Sequence, residues 1–214
     1  FSNMVQTSND IVLRPAMPDD ADAAVPLIYS SGPAVLDYIF TSKSKEDVFA
    51  CMRRGFVHNA GELGYAIHTV AEFDGKVVSI GAAFAGDATL RFMAQGTANI
   101  FAHYGLFRAP GVIIRALQVE KIVRPPAKHE HCIAHLGVTP EFRSKGIGAR
   151  IVQHLLEEGR RRNRPVAVLD VSLENPRAQA LYERLGFVMT SETCSNLKNE
   201  HAIVPGHRRM ELTL

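Results

Sequence analysis

Residues 131–161 change their hydrophobic period once, across a pair of glycines. "HCIAHLGV" (131–138) alternates, with Cys132, Ala134, Leu136 and Val138 predicted on one side and Ile133, His135 and Gly137 on the other. "IVQHLLEEGRRR" (151–162) instead repeats every four residues, pairing Ile151 with Leu155 and Val152 with Leu156. A strand must therefore pass into a helix through "TPEFRSKGIGAR". "PVAVLDVS" follows as a buried-type strand. "NPRAQALYERLGF" then reads as a helix with Asn175 at its cap, Pro176 in its first turn and Gly186 at its stop.

The N-terminal half has a different rhythm. "IVLRPAM" reads as a strand and "PDDADAAVPLIYS" as a helix with Asp19 or Asp20 near its cap. Val48, Cys51, Met52 and Phe56 mark one face of a second helix. Two β-rich runs flank Asp74-Gly75, a two-residue hairpin signal. "FVMTSE" and "RRMELTL" supply the last strands. Hairpin strands come first and strand–helix units later. That order predicts an α+β (mixed α/β) fold rather than a doubly wound parallel sheet. One domain is expected over residues 1–214, with a partly helical insert at about 85–128.

Composition narrows the function classes. Among 214 residues 46% are hydrophobic and 21% charged, enough for a full core. The formal net charge of +2 gives no concentrated basic stripe, so nucleic acid is not an expected partner. Arg160-Arg161-Arg162 falls at a helix C-terminus, where the dipole favours cations. No apolar run nears the roughly 20 residues of a membrane span, so no membrane partner is expected. Cys51, Cys132 and Cys194 are scattered and odd in number, which fits a reducing, cytoplasmic setting. "HEHC" lacks the H-E-x-x-H spacing and a second ligand pair, so no metal is expected.

The glycine turn suits an anion. A helix start exposes unpaired N–H groups at the positive end of its dipole. Gly146 and Gly148 let a ligand approach the main chain, and Arg143, Lys145 and Arg150 add charge. A pyrophosphate needs such donors. The turn has no G-x-x-x-x-G-K-[ST] and fails the third glycine of the dinucleotide fingerprint. Taken alone, an ordinary loop and helix start reads equally well.

The flanks decide further. "LGVTPEFRSKGIGARIVQHLL" followed by "VSLENPRAQALYERLGF" resembles the Gcn5-related N-acetyltransferase (GNAT) superfamily, most strongly over residues 131–188. Arg143-Ser144-Lys145-Gly146-Ile147-Gly148 matches its acyl-CoA motif without departure. Asn175, Tyr182 and Leu185-Gly186-Phe187 match its second signature. The resemblance implies a mostly antiparallel central sheet whose two middle strands splay apart. It implies acetyl-CoA as co-substrate and transfer of acetyl to an amine by direct attack in a ternary complex. No cysteine lies within either motif. The alternative on the same fold is a non-catalytic acyl-CoA-binding or sensing module.

The resemblance also distributes tasks. Ser144 to Ala149, with Gly146, Ile147 and Gly148, would hold the pyrophosphate, and Leu136 and Val138 would pair their backbone with the pantetheine amides. A backbone N–H near Val138 would face the thioester oxygen. Tyr182 would be the general acid and Asn175 a second cofactor contact. By position alone Tyr182 also reads as a core residue, on one stripe with Ala178, Leu181 and Leu185. The general base stays open among His129, Glu130, His131, His135 and a water chain. The acceptor is a small-molecule or peptide amine. Between Asp87 and Lys128 six basic residues face two acidic ones, a surplus that would favour an acidic or phosphate-bearing acceptor, or else mark a surface subdomain. An edge strand near the C-terminus offers a surface for a homodimer.

Overall fold

The computed structural model describes residues 10–214. Seven strands form one sheet in the order β1-β2-β3-β4-β5-β7-β6. They are β1 (Val12–Pro15), β2 (His68–Phe73), β3 (Lys76–Ala85), β4 (Glu130–Val138), β5 (Val166–Ser172), β6 (Val188–Thr193) and β7 (His207–Thr213). Every neighbouring pair is antiparallel except β4 with β5. The mixed, mostly antiparallel sheet of the sequence reading is therefore present.

Asp74 and Gly75 both take positive φ (48° and 72°), the geometry of a tight hairpin turn that matches strand twist. Helices α1 (Ala21–Ser30), α2 (Pro33–Phe40), α3 (Glu46–Val57) and α4 (Thr89–Val119) cover one face. Their apolar sides, including Ile28, Val48, Met52 and Phe56, bury against Val70 and Ile80 of the sheet. Helices α5 (Ile147–Arg161) and α6 (Pro176–Arg184) cover the other face, where Ile151, Leu155 and Tyr182 pack on Ile133, Leu169 and Met210. Helix α2 was not legible in the sequence, although Gly32-Pro33 marks its start.

The insert is one long helix broken at Gly105, whose φ of 72° and ψ of 177° interrupt the hydrogen-bond ladder. The last strand in sequence is not at the edge: β7 inserts between β5 and β6, and β1 and β6 are the two edges.

Three residues seal the paired ends of β4, β5 and β7. Arg209 donates to Glu130 at 2.8 Å and to Asp170 at 2.7 Å. Burial alone would make these charges costly, so each is matched by its neighbour's opposite sign.

Candidate active site

The two central strands part company. β4 and β5 pair only at Glu130–Val166, His131–Ala167 and Cys132–Val168. Beyond that point β5 stays with β7 as far as Ser172–His207, while β4 runs on beside β3 to Val138. The edge of β4 facing β5 is thus left without a strand partner. The Thr139 N–H donates to the Val78 carbonyl at 2.9 Å. Antiparallel ladders alternate, so Gly137 turns its backbone groups to β3, and Leu136 and Val138 turn theirs into the gap. The Val138 carbonyl is taken by Arg143 Nε at 3.1 Å, which leaves the Val138 N–H aimed into the gap.

The gap widens into a cleft of about 680 Å³. Leu136, Gly137 and Val138 form its floor. Arg143, Ser144, Gly146, Ile147, Gly148 and Ala149 form one wall, and Asn175, Ala178, Leu181 and Leu185 the opposite one. Ser144 and Gly146 both lie in the left-handed region (φ 60° and 78°) and curl the chain into the start of α5. A Cβ on Gly146 would meet nothing within 4 Å, so this glycine serves conformation and leaves its surface open. At Gly148 a Cβ would make ordinary contacts with Val138, Leu136 and Leu181 at 3.6–3.7 Å.

The side chains of the turn divide. Arg143 lines the cleft. Lys145 does not: its ammonium lies 5.0 Å from the centre of the Phe142 ring. Arg150, expected to add charge here, instead donates to the Ile11 carbonyl at 3.1 Å. Two cations not singled out from sequence replace it. Arg177 and Arg184 of α6 line the cleft, and Arg177 reaches Ser144 Oγ. Both belong to the α6 motif, one turn on either side of Leu181, and that spacing was the signal for them.

Asn175 takes the cap role expected of its position, and the structure puts it beside the cleft. Its Oδ1 accepts from the Ala178 N–H at 3.1 Å as a helix cap, and the residue lines the cleft. Tyr182 lies behind the wall, its ring buried edge-on to Phe187 at 5.9 Å. Burial pushes its phenol up to about 12, so it holds its proton at neutral pH. Its hydroxyl has no hydrogen-bond partner among the described residues.

The base candidates separate cleanly. His129 is exposed, and it precedes the paired end of β4. Glu130 is committed to Arg209 and to the Ala127 N–H. His131 is fully buried against α5, where its Nε2 meets the Leu155 carbonyl at 2.9 Å. His135 is different, because the strand does not alternate as its sequence suggests. Two residues of β4, His135 and Leu136, stand opposite the single Gly81, a β-bulge between Ala82–Ala134 and Ile80–Gly137. Leu136 consequently turns to α5 with Ile133, whereas Ala134 packs with Cys132 on the opposite face. His135 joins that opposite face and stacks on His68 with ring centres 5.3 Å apart. Its φ of 57° is a left-handed conformation that costs a non-glycine residue about 1–2 kcal/mol.

Three of the insert's six basic side chains are engaged by packing. Arg115 donates to the Ile39 and Thr41 carbonyls, Arg108 approaches Asp47, and Arg91 covers the Phe92 ring. Cys132, on the same face of β4 as Ala134, feels the carboxyl of Glu62 ahead of Arg209, Asp170 and Glu130. Desolvation by the surrounding chain and the nearby Glu120 raise the Glu62 carboxyl above its usual range, although the residue itself is exposed. Burial, the largest cause, holds the Cys132 thiol far above its ordinary value, so it is not a ready nucleophile.

The arrangement can hold an extended polar chain along β4, place an anion at the start of α5 and present an acid at the back. Comparisons with known proteins give the family and the fold. The family described as "Acetyltransferase (GNAT) family" matches residues 36–187. The N-alpha-acetyltransferase RimI of Mycobacterium tuberculosis is 33% identical over 86 residues, 40% of this chain and 51% of the relative. The chain spans about half the length of the curated relatives it matches. An N-acetyltransferase from Staphylococcus aureus Mu50 superposes with a TM-score of 0.70 at 17% identity, covering 94% of this chain and 100% of that one. The Drosophila melanogaster polyamine N-acetyltransferase, which forms N-acetylagmatine, gives 0.58 at 16% identity over 96% and 100%.

Proposed function

This chain belongs to the acetyltransferase (GNAT) family, and from that premise we propose that it transfers the acetyl group of acetyl-CoA to an amine by direct attack. The observation that carries the proposal is the unpaired edge of β4 meeting the glycine turn and α6 in one cleft. Ile147, Gly148 and Ala149 supply free helix-start N–H groups to the pyrophosphate, beside Arg143 and Arg177. Gly146 fits that task, since open space stands where its side chain would be. Leu136 and Val138 pair with the pantetheine amides as an added strand would. The Val138 N–H steadies negative charge on the thioester oxygen as the carbonyl is attacked. Tyr182 gives its proton to the departing sulfur.

The acceptor we favour is an amine with further positive charge. Glu62, whose carboxyl acts on Cys132 of β4, and its neighbour Glu120 support this over an acidic or phosphate-bearing acceptor. Peptide α-amines and agmatine-like amines both satisfy that chemistry.

The test is calorimetry with acetyl-CoA, followed by release of free thiol with agmatine and with an alanine-initiated basic peptide. Saturable binding with acceptor-dependent release is expected. Tight binding without release on either acceptor would point to the sensing module instead. Absence of binding by well-folded protein would end both readings.

A further inference from the structure

Two histidines outside both motifs meet across the bulge. His68 Nδ1 lies 2.7 Å from the Gly64 carbonyl, and His68 Nε2 lies 3.1 Å from His135 Nδ1. A carbonyl oxygen only accepts, so His68 carries its proton on Nδ1 and offers a lone pair at Nε2. The contact with His135 then needs a proton from the other side, and His135 donates it from Nδ1. One lone pair is left over, on His135 Nε2. That atom has no protein partner among the described residues, and the residue is only half-buried.

We propose that His135 is the proton acceptor for the attacking amine and that His68 is the positioning residue that locks its tautomer; this rests on the acetyltransferase reading above. Four observations converge on it. The bulge turns His135 onto the face of β4 that carries α1–α4, at the residue before Leu136, which lines the cleft. A histidine is kept at a left-handed φ where glycine would sit without strain. The ring is fixed by stacking on His68, itself fully enclosed and packed on Phe56. Among the described residues no carboxylate or cation acts on either ring: beside burial, His68 feels only His135 and Gly64, and His135 feels burial alone. Burial pushes His135 down to about 4 and His68 to about 3, so both stay neutral where the amine must react.

The step balances. The amine nitrogen forms its bond to the thioester carbon as the carbonyl electrons move to oxygen. The N–H proton passes to the lone pair on His135 Nε2. When the oxygen electrons return, the carbon–sulfur bond breaks and the sulfur takes the proton of Tyr182. Solvent then carries the proton on His135 to the Tyr182 oxygen, and an amide and a free thiol remain.

The test has two arms. Imidazole nitrogens of the whole chain are read by long-range 15N–1H correlation between pH 6 and 9, with signals assigned by variants. Protonated Nδ1 on both rings and a bare His135 Nε2 are expected throughout; a protonated His135 Nε2 in that range overturns the proposal. Thiol release from acetyl-CoA with agmatine is then measured in the variants. His135→Asn keeps a side chain that tolerates positive φ, so folding is preserved. It is expected to lose roughly 10²–10⁴-fold in rate with acetyl-CoA affinity unchanged. His68→Gln can still donate to Gly64 and accept from His135, and should retain most of the rate. His68→Leu should lose most of it and let the His135 tautomer signal change. His207 Nε2 also has no partner among the described residues, its Nδ1 being held by the Pro205 carbonyl. A loss in His207→Gln with none in His135→Asn would move the role away from His135. Should agmatine prove not to be an acceptor, the nitrogen spectra alone decide the tautomer lock, while calorimetry reports separately on the cofactor reading.

Discussion

Arg177 donates to Ser144 Oγ at 2.6 Å and so ties the first turn of α6 to the left-handed residue of the glycine turn. The two elements meet only through the fold, 33 residues apart in the chain. Replacing Arg177 with Ala removes a cation from the mouth of the cleft and frees the turn. Acetyl-CoA affinity should fall by about tenfold, and its decline with salt should become shallower. Calorimetry at two ionic strengths reads both; unchanged affinity would place Arg177 outside the site.

Gly146 and Gly148 should respond differently to the same methyl group. At Gly146 the positive φ makes Ala strained by about 1–2 kcal/mol, and the new Cβ occupies the open cradle. At Gly148 the contacts are of ordinary length and the φ is not left-handed. Gly146→Ala should lower both melting temperature and acetyl-CoA affinity, and Gly148→Ala should change each only slightly. Equal losses would deny the turn its special geometry.

Tyr182→Phe should slow thiol release by at least about 10²-fold while leaving acetyl-CoA affinity within twofold. The hydroxyl makes no hydrogen bond among the described residues, so its removal breaks none of their contacts. Because burial holds the phenol near 12, the wild-type rate should show no loss from tyrosine ionisation below pH 10. A rate unaffected by the substitution would return Tyr182 to a core role.

Acid should destabilise the protein earlier than its surface charges alone require. His68 and His135 are lowered to about 3 and about 4, and burial also lowers His131 and His207. Below pH 6.5 the unfolded chain takes up protons that the folded imidazoles refuse, so stability is present above 6.5 and drains away as pH falls towards 4. Each such histidine contributes a slope of up to about 1.4 kcal/mol per pH unit. Urea midpoints at pH 7 and pH 5 measure it. His68→Leu should flatten the dependence, and an unchanged slope would contradict a buried neutral pair.

Arg209→Met should cost about 3–5 kcal/mol, since it strands Glu130 and Asp170 as buried carboxylates. Denaturant titration checks this. A loss under 1 kcal/mol would mean that water already reaches the paired end of β4.

Local chemistry made much of this protein readable before any fold was known. The switch from period two to period 3.6 around Gly146, the Asp74-Gly75 hairpin, the Asn175-Pro176 cap and the Gly186 stop each depend on neighbours within a few residues. The turn as an anion cradle follows from the same local rules. The tertiary structure alone decided which side His135 faces, because a bulge is set by what the partner strand β3 can pair, and one extra residue inverts an alternation. It likewise sent Arg150 away to Ile11, brought in Arg177, placed β7 inside the sheet and joined His68 to His135 across 67 residues. Contacts between residues so far apart in the chain depend on strand order and register, which no short window of sequence records.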